Sequence, residues 1–223
     1  MRTYDQIFAL AAERQGGAEA LEAKLTKPMP QAELEAVPDD RWLSAMTRAI
    51  FQAGFNWKVV DSMWPGFETA FRGFDVGHCA MMSDERLEEL TSDTSIVRHG
   101  AKIRAVRENA AFLQELAQEH GQPAGVVIAR WPAEDYVGLL AMLKKRGTRL
   151  GGTTAQYMLR FMGRDSFILA QDVVARLEAE GVIDGPATSQ KAQRAIQAAF
   201  NEWAAQSGRS LTEISRTLAM SIG

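Results

Sequence analysis

The stretch of this 223-residue chain richest in chemistry is the run 143–154, LKKRGTRLGGTT. It sets Lys144, Lys145 and Arg146 ahead of Gly147, and Gly151 and Gly152 ahead of Thr153 and Thr154. Glycines permit a tight turn, close approach of the backbone to another surface, and positive φ. A helix starting after them leaves N–H groups at Gly152, Thr153 and Thr154 without intrahelical partners, at the positive end of the helix dipole. Such a start is a ready anion site, and a nucleic-acid phosphate is an anion that suits it. The threonine hydroxyls add donors, and the flanking Lys and Arg add charge. Taken alone, the same run also reads as an ordinary helix–turn–helix connection.

Charge gives a divided answer. The net charge is −3 and the pI about 5.7, whereas a nucleic-acid-binding domain is usually basic. The distribution qualifies the average. Arg98, His99, Lys102, Arg104 and Arg107 form one basic run, and Lys144, Lys145, Arg146 and Arg149 form another, followed by Arg160 and Arg164. Much of the acid sits elsewhere, at Asp39-Asp40, Asp84-Glu85, Glu88-Glu89 and Glu178 with Glu180. Local basic faces on an acidic protein can hold phosphates, although they equally read as solvated helix faces. The single cysteine, Cys79, excludes an intrachain disulfide. With it stand three scattered histidines, His78, His99 and His120, so the usual zinc spacings are missing and no structural zinc is expected. No apolar run approaches the roughly 20 residues needed to span a membrane, and no long apolar stretch follows the N-terminus. A soluble cytoplasmic protein with no membrane partner is the expectation.

The elements that must position these residues all read as helix. Residues 4–14 carry Ile7, Phe8, Leu10 and Ala11 at helical spacing, and 18–25 continue until Pro28-Met29-Pro30. Asp39 or Asp40 can cap a helix over 41–53 with Trp42, Met46, Ala49, Ile50 and Ala53 along one stripe. Gly54 interrupts it, Asn56 can cap a second helix to Met63, and Pro65 starts a third. Ser83 marks another start, and residues 101–119 form the strongest helix, ending at Gly121 and Pro123. Helices are predicted over 132–145 and 153–163, from Asp172 as cap to Glu180, and over 189–206 and 211–222. No alternating strand pattern or repeat is visible. The fold class is all-α. The expected organisation is an N-terminal helical extension over 1–38, a core over 39–185, and a C-terminal helical pair over 186–223.

Three motifs in order resemble the DNA-3-methyladenine glycosylase I family. They are Gln52-Ala53-Gly54-Phe55-Asn56-Trp57, then 96–103 (IVRHGAKI) followed by Asn109-Ala110, then Lys144-Lys145-Arg146-Gly147 with Gly152-Thr153-Thr154. The resemblance covers about 41–177. It implies a helix–hairpin–helix DNA glycosylase fold, with two helical lobes flanking a groove for DNA and an extruded base. The implied partner is double-stranded DNA carrying an alkylated base, bound by a monomer (nucleoid-associated if the source is bacterial).

The resemblance also assigns roles. In the wider superfamily the hairpin is followed, after a similar interval, by an essential Asp at a helix start, and here Asp172 follows Thr154 by eighteen residues. Cleaving an N-glycosidic bond builds positive charge on the sugar, which a fixed carboxylate stabilises while orienting the attacking water. An N3-alkylated adenine is already cationic and leaves readily, so a strong general acid is not required. Asp172 also reads as a plain helix cap worth about 1 kcal/mol. Bifunctional members form a Schiff base on a hairpin Lys; that position here is Thr154, so no lyase activity is expected. An extruded base needs an aromatic slot and a few polar contacts. Trp57 matches a pocket tryptophan that stacks on a cationic base, Gln52 and Asn56 offer hydrogen bonds, and Phe55 can wedge into the vacated stack. Each aromatic equally admits core packing, as do Trp42, Trp64, Trp131 and Trp203.

The chain departs from the family at one telling place. A family Glu on the helix before the Gln-Ala-Gly motif contacts the base, and the matching position here is Ala49. The family's zinc ligands near both ends are also missing, so no cofactor is expected beyond a monovalent cation at the hairpin. The leading expectation is a monofunctional glycosylase acting on 3-methyladenine-like bases. A catalytically silent damage-binding protein on the same scaffold is favoured by Ala49 and the acidic pI. A helical interaction module using 189–222 is the third reading.

Overall fold

The computed structural model describes residues 1–222. Among these, every regular element is helical. In chain order the helices are α1 (Tyr4–Gln15), α2 (Ala18–Glu22), α3 (Gln31–Glu35), α4 (Asp39–Gln52), α5 (Trp57–Ser62), α6 (Trp64–Ala70), α7 (Val76–Ala80) and α8 (Asp84–Leu90). They continue as α9 (Gly100–His120), α10 (Ala124–Arg130), α11 (Tyr136–Arg146), α12 (Thr153–Phe161), α13 (Gln171–Ala179), α14 (Gln190–Ser207) and α15 (Leu211–Met220). Short 3₁₀ turns lie at Arg72–Phe74 and Ala133–Asp135.

Local chemistry accounts for many of the boundaries. Thr3 and Gln6 form a reciprocal capping box at the start of α1, and Ser210 and Glu213 do the same for α15. Asn56, Ser83 and Ser189 accept from backbone N–H groups in the first turns of α5, α8 and α14. Helices α1, α9 and α14 stop at Gly16, Gly121 and Gly208, each left-handed. Two expected caps turn out otherwise. Helix α4 begins at Asp39 after Pro38, and the Asp39 carboxylate instead accepts from Ala124 N (3.1 Å) and Gly125 N (2.7 Å), capping α10. Asp172 is the second residue of α13 behind Ala170 and makes no cap bond. Short helices α3, α7 and α10 were not anticipated; at five to seven residues they are too brief to show a clear period.

The chain divides into two compact units whose segments interleave along the sequence. One unit gathers Met1–Met29, Pro132–Leu139 and the chain from Gly163 onward; the other holds Pro30–Trp131 and Leu140–Met162. This division crosses the linear one expected from sequence, because residues 163–185 join the terminal segments.

The first unit packs α1 against α14 and α15, and α13 against α15. Its core is an aromatic chain in which Tyr136 meets Phe167 edge-on at 4.6 Å, Phe167 stacks on Phe200 at 4.3 Å, and Phe200 meets Trp203. The second unit is built on α4 and α9, which pack on each other; α12 covers α4, and α7, α8 and α10 cover α9. Trp42, Leu43, Met46, Ile50 and Phe51 of α4 and Ile103, Val106, Ala110 and Leu113 of α9 are buried. The opposite stripe of α4 keeps Arg41, Ser44, Ala45, Arg48, Ala49 and Gln52 in helical register, and this stripe builds the site.

Candidate base cavity and hairpin

The second unit contains a cavity of about 290 Å³, lined by that stripe of α4, by Trp64 and Glu68 one turn apart on α6, and by Met158, Phe161 and Met162 at the end of α12. The volume is near the lower end of ordinary ligand sites. Trp64 is a wall with its own support, stacked at 4.8 Å on Phe67 and at 5.6 Å on Phe74.

Two charges in the cavity neutralise each other. Arg41 donates to both Glu68 oxygens, Nη1 to Oε1 at 2.9 Å and Nη2 to Oε2 at 3.1 Å, and to the carbonyl of Gly73 at 2.5 Å. Ser44 Oγ and Trp64 Nε1 also donate to Glu68 Oε1, at 3.1 and 3.2 Å. Burial alone would raise the Glu68 carboxyl pKa; the Arg41 pairing, with help from Ser44 and Trp64, outweighs it and holds the group below the usual carboxylate range. Arg48 is different. Its guanidinium carbon sits 4.4 Å above the Trp64 ring centroid. Its Nε is buried without a hydrogen bond and forms a long ion pair with Asp61 at 3.7 Å.

Of the four residues expected around the base, Gln52 lines the cavity, 6% exposed, with Nε2 donating to Asp61 Oδ1 at 3.0 Å. Trp57 does not line it; its ring is 41% exposed and meets Tyr157 and the lining residue Phe161 edge-on at 5.3 and 5.8 Å. Asn56 is taken as the α5 cap, and Phe55 is exposed with the Lys102 ammonium 5.5 Å from its ring. Ala49 also lines the cavity. Sequence reasoning missed Arg41, Arg48 and Glu68 and set Trp64 aside as packing. The signal was present in α4 as a second, polar stripe at i, i+3, i+4 and i+7 spacing, whereas only the apolar stripe was followed.

The hairpin lies wholly in the second unit, from the end of α11 to the start of α12. Its glycines have separate duties. Gly147 is there for space: a Cβ would lie 2.6 Å from Leu150 Cδ1 and 2.8 Å from the Leu143 carbonyl oxygen. Gly152 is there for conformation, at φ +58°. Arg149 also takes the left-handed region at φ +62°, costing about 1–2 kcal/mol. Asn109 of α9, 1% exposed, holds the turn from both sides. It accepts from Thr148 N at 2.8 Å and donates to the Thr148 carbonyl at 3.1 Å. Helix α12 then begins behind Gly152 with no side-chain cap, so its first N–H groups are open. Thr153 is exposed and Thr154 half-buried at that end.

The basic runs prove less uniform than the sequence suggests. Lys144 and Lys145 are exposed and make no ion pair among the described residues. Arg146 instead donates to both Glu119 oxygens at 2.6 and 2.9 Å, which raises its pKa, and is committed to that pair. Gly151 rests against the Lys144 stem, with Cγ 3.6 Å from where a Cβ would stand. In the earlier run Lys102 is buried, its ammonium donating to the Phe51 and Ala53 carbonyls at 3.2 and 2.7 Å, where it closes the C-terminal end of α4. Burial and then the neighbouring Arg149 lower its pKa. Arg107 is tied to Asp84 at 2.8 Å and the Met82 carbonyl at 3.0 Å. Arg98 and Arg104 remain exposed.

Asp172 belongs to the first unit, where it is exposed in the first turn of α13. Cys79 is fully buried and its thiol is pushed up to about 12 by burial, so it is no nucleophile. Among the described residues no three His, Cys, Asp or Glu side chains form a group that could hold a metal ion.

Comparison with known proteins bears on this arrangement. Residues 35–135 match the profile of the family described as methyladenine glycosylase. DNA-3-methyladenine glycosylase 1 of Escherichia coli (strain K12) is 30% identical over 125 residues, a match spanning 48% of this chain and 66% of that protein. Two crystal structures share the fold. A variant of 3-methyladenine DNA glycosylase I from Staphylococcus aureus is 17% identical with a TM-score of 0.52, covering 66% of this chain and 85% of its own. A 3-methyladenine DNA glycosylase I in complex with 3-methyladenine is 18% identical with a TM-score of 0.50, covering the same shares. Through residues 35–135 the chain belongs to the methyladenine glycosylase family.

Proposed function

We propose that this protein is a monofunctional DNA N-glycosylase that removes alkylated, 3-methyladenine-like bases from double-stranded DNA by hydrolysis, acting as a monomer in base-excision repair. The observation that carries the reading is the aromatic-walled cavity on α4 and α6, within the segment that matches the methyladenine glycosylase family. A flipped base needs such a slot. The open N-terminus of α12, with Lys144 and Lys145 nearby in sequence, supplies phosphate contacts that position the duplex. Exposed Phe55 serves as the wedge.

The catalytic carboxylate in this reading is Asp172. It is exposed and free of the cap bond that would otherwise explain it. The carboxylate stabilises the sugar cation and orients the water that attacks C1′ as the C–N bond to the base breaks. The electron pair leaves with the base, and the proton of the water goes to solvent or the departing ring. Thr154 stands at the hairpin position where bifunctional members carry the Schiff-base Lys, so in this reading the strand stays intact.

The test is release of free base from methylated duplex DNA by wild type and Asp172→Asn. Release by wild type that falls at least a hundredfold in the variant, with abasic-duplex binding retained, supports the assignment. Ala49 in the cavity favours one other reading, a protein that binds lesions without cleaving them. No release by either protein, with tight binding of abasic duplex, would establish it.

A further inference from the structure

We propose that Arg176 is a positioning residue: with Ser221, Glu180 and Arg2 it forms a buried polar clasp that fixes α13 and, through it, the placement of Asp172. The proposal rests on the reading of Asp172 as the catalytic carboxylate. It assigns a task in that reaction to residues outside the matched segment 35–135.

Helix α13 needs such help. It has nine residues, and Ala170 gives its first turn no side-chain cap. A helix this short is marginal by itself, so its order comes from what it packs against. Val173 and Leu177 are buried along one stripe, and α13 packs on α15. Asp172, Arg176 and Glu180 recur at every fourth residue along a second stripe. Apolar burial is non-directional, so by itself it lets a short helix slide or roll on its neighbour. Hydrogen bonds carry direction.

The clasp supplies them. Arg176 is 7% exposed. Its Nε donates to Ser221 Oγ at 2.7 Å, its Nη2 to the Ser221 carbonyl at 2.6 Å and its Nη1 to Glu180 Oε1 at 3.2 Å. The Glu180 side chain, 1% exposed, accepts in turn from Arg2, N to Oε2 and Nη1 to Oε1, both at 2.8 Å. The Arg2 carbonyl accepts from Trp203 Nε1 of α14 at 3.0 Å. Arg2, Trp203 and Ser221, distant from one another in sequence, thus converge on α13. Well-packed apolar residues would hold this helix at less cost in desolvation. What the network adds is geometry, because a planar fork bonded at three points sets both the rotation and the height of the helix. One turn before Arg176 on the same stripe stands Asp172, exposed and without a cap bond, so its placement depends on the backbone of α13. A carboxylate that acts on a developing cation does so at fixed geometry, and a displacement of about 1 Å can cost on the order of a hundredfold in rate.

The experiment is a double-mutant cycle in the full chain. It reads the single-turnover rate of base release from methylated duplex DNA beside the affinity for abasic duplex. Each variant is assayed at a temperature where circular dichroism shows it folded. Arg176→Met should lower the rate about tenfold and leave abasic-duplex affinity unchanged. Arg176→Lys keeps the charge beside Glu180 but not the fork, and should restore part of the rate. On an Asp172→Asn background, Arg176→Met should change the rate by less than about twofold, because the group it positions is gone. Arg2→Met, at a side chain 49% exposed, guards against misfolding of Arg176→Met. It should lower the rate in the same sense, again only while Asp172 is present. Equal losses from Arg176→Met with and without Asp172, or a lower Tm with the rate intact, would overturn the positioning role and leave the glycosylase reading in place. No release by wild type, or full release by Asp172→Asn, would instead overturn the reading itself and the positioning role with it.

Discussion

Asn109→Ala tests whether the hairpin is held by a side chain from outside it. Asn109 is 1% exposed and makes two hydrogen bonds to one residue of the turn, 2.8 Å from Thr148 N and 3.1 Å to the Thr148 carbonyl. Each such bond contributes about 1 kcal/mol net, and each partner left unsatisfied in a buried place costs about 1–3 kcal/mol. Thr148 is only half-buried, so water recovers part of the loss. The expected destabilisation is therefore about 2–3 kcal/mol, or roughly 4–12 °C in Tm for a chain of this length. Urea unfolding followed by tryptophan fluorescence measures it. The same substitution frees the turn that sets the start of α12, so affinity for abasic duplex should fall at temperatures where the variant is fully folded. Asn109→Asp keeps an acceptor for Thr148 N but turns an oxygen toward the Thr148 carbonyl, and should recover less than half of the loss. A change below about 0.5 kcal/mol in Asn109→Ala, with DNA affinity intact, would refute the idea that α9 clamps the hairpin.

The exposed and the paired cations of the hairpin should behave differently. Lys144→Gln and Lys145→Gln should each weaken duplex binding regardless of sequence and reduce its salt slope by about 1, whereas Arg146→Gln, whose charge is spent on Glu119, should lower Tm and leave that slope unchanged. Glu68 gives a pH prediction. Its folded carboxyl titrates below its unfolded value because the Arg41 pairing and the Ser44 and Trp64 donors outweigh burial. Its contribution is then full above the unfolded pKa and is lost as pH falls through the folded one. The Tm gap between wild type and Glu68→Gln should be widest at neutral pH and narrow from about pH 4.5 downward; a gap independent of pH would mean that the Arg41–Glu68 pair contributes nothing to folding.

What the sequence determined by itself was local. Helical period and punctuation place α1, α4, α9 and α14 to within a residue or two, because caps such as Ser83, Asn56 and Ser189 and stops such as Gly121 act on their own turn. The hairpin was legible for the same reason, since its glycines and threonines act within a dozen residues. The division of labour between Gly147, needed for space, and Gly152, needed for φ, required the packed turn. Partnerships across the chain were not legible. Asp39 reads as the cap of its own helix and caps α10, eighty-five residues on. Lys102 reads as a surface cation and lies buried on the last carbonyls of α4. Arg146 reads as a phosphate ligand and is claimed by Glu119. The cavity shows the distinction most plainly. Periodicity puts Arg41, Ser44, Arg48 and Gln52 on one face of α4, but what that face meets is decided by packing. Only the tertiary structure brings Trp64, Glu68 and Phe161 against it, pairs Arg41 with Glu68 and sets Arg48 between Trp64 and Asp61, because a charge has no fixed partner until the folded chain sets which groups lie within a few ångströms of it.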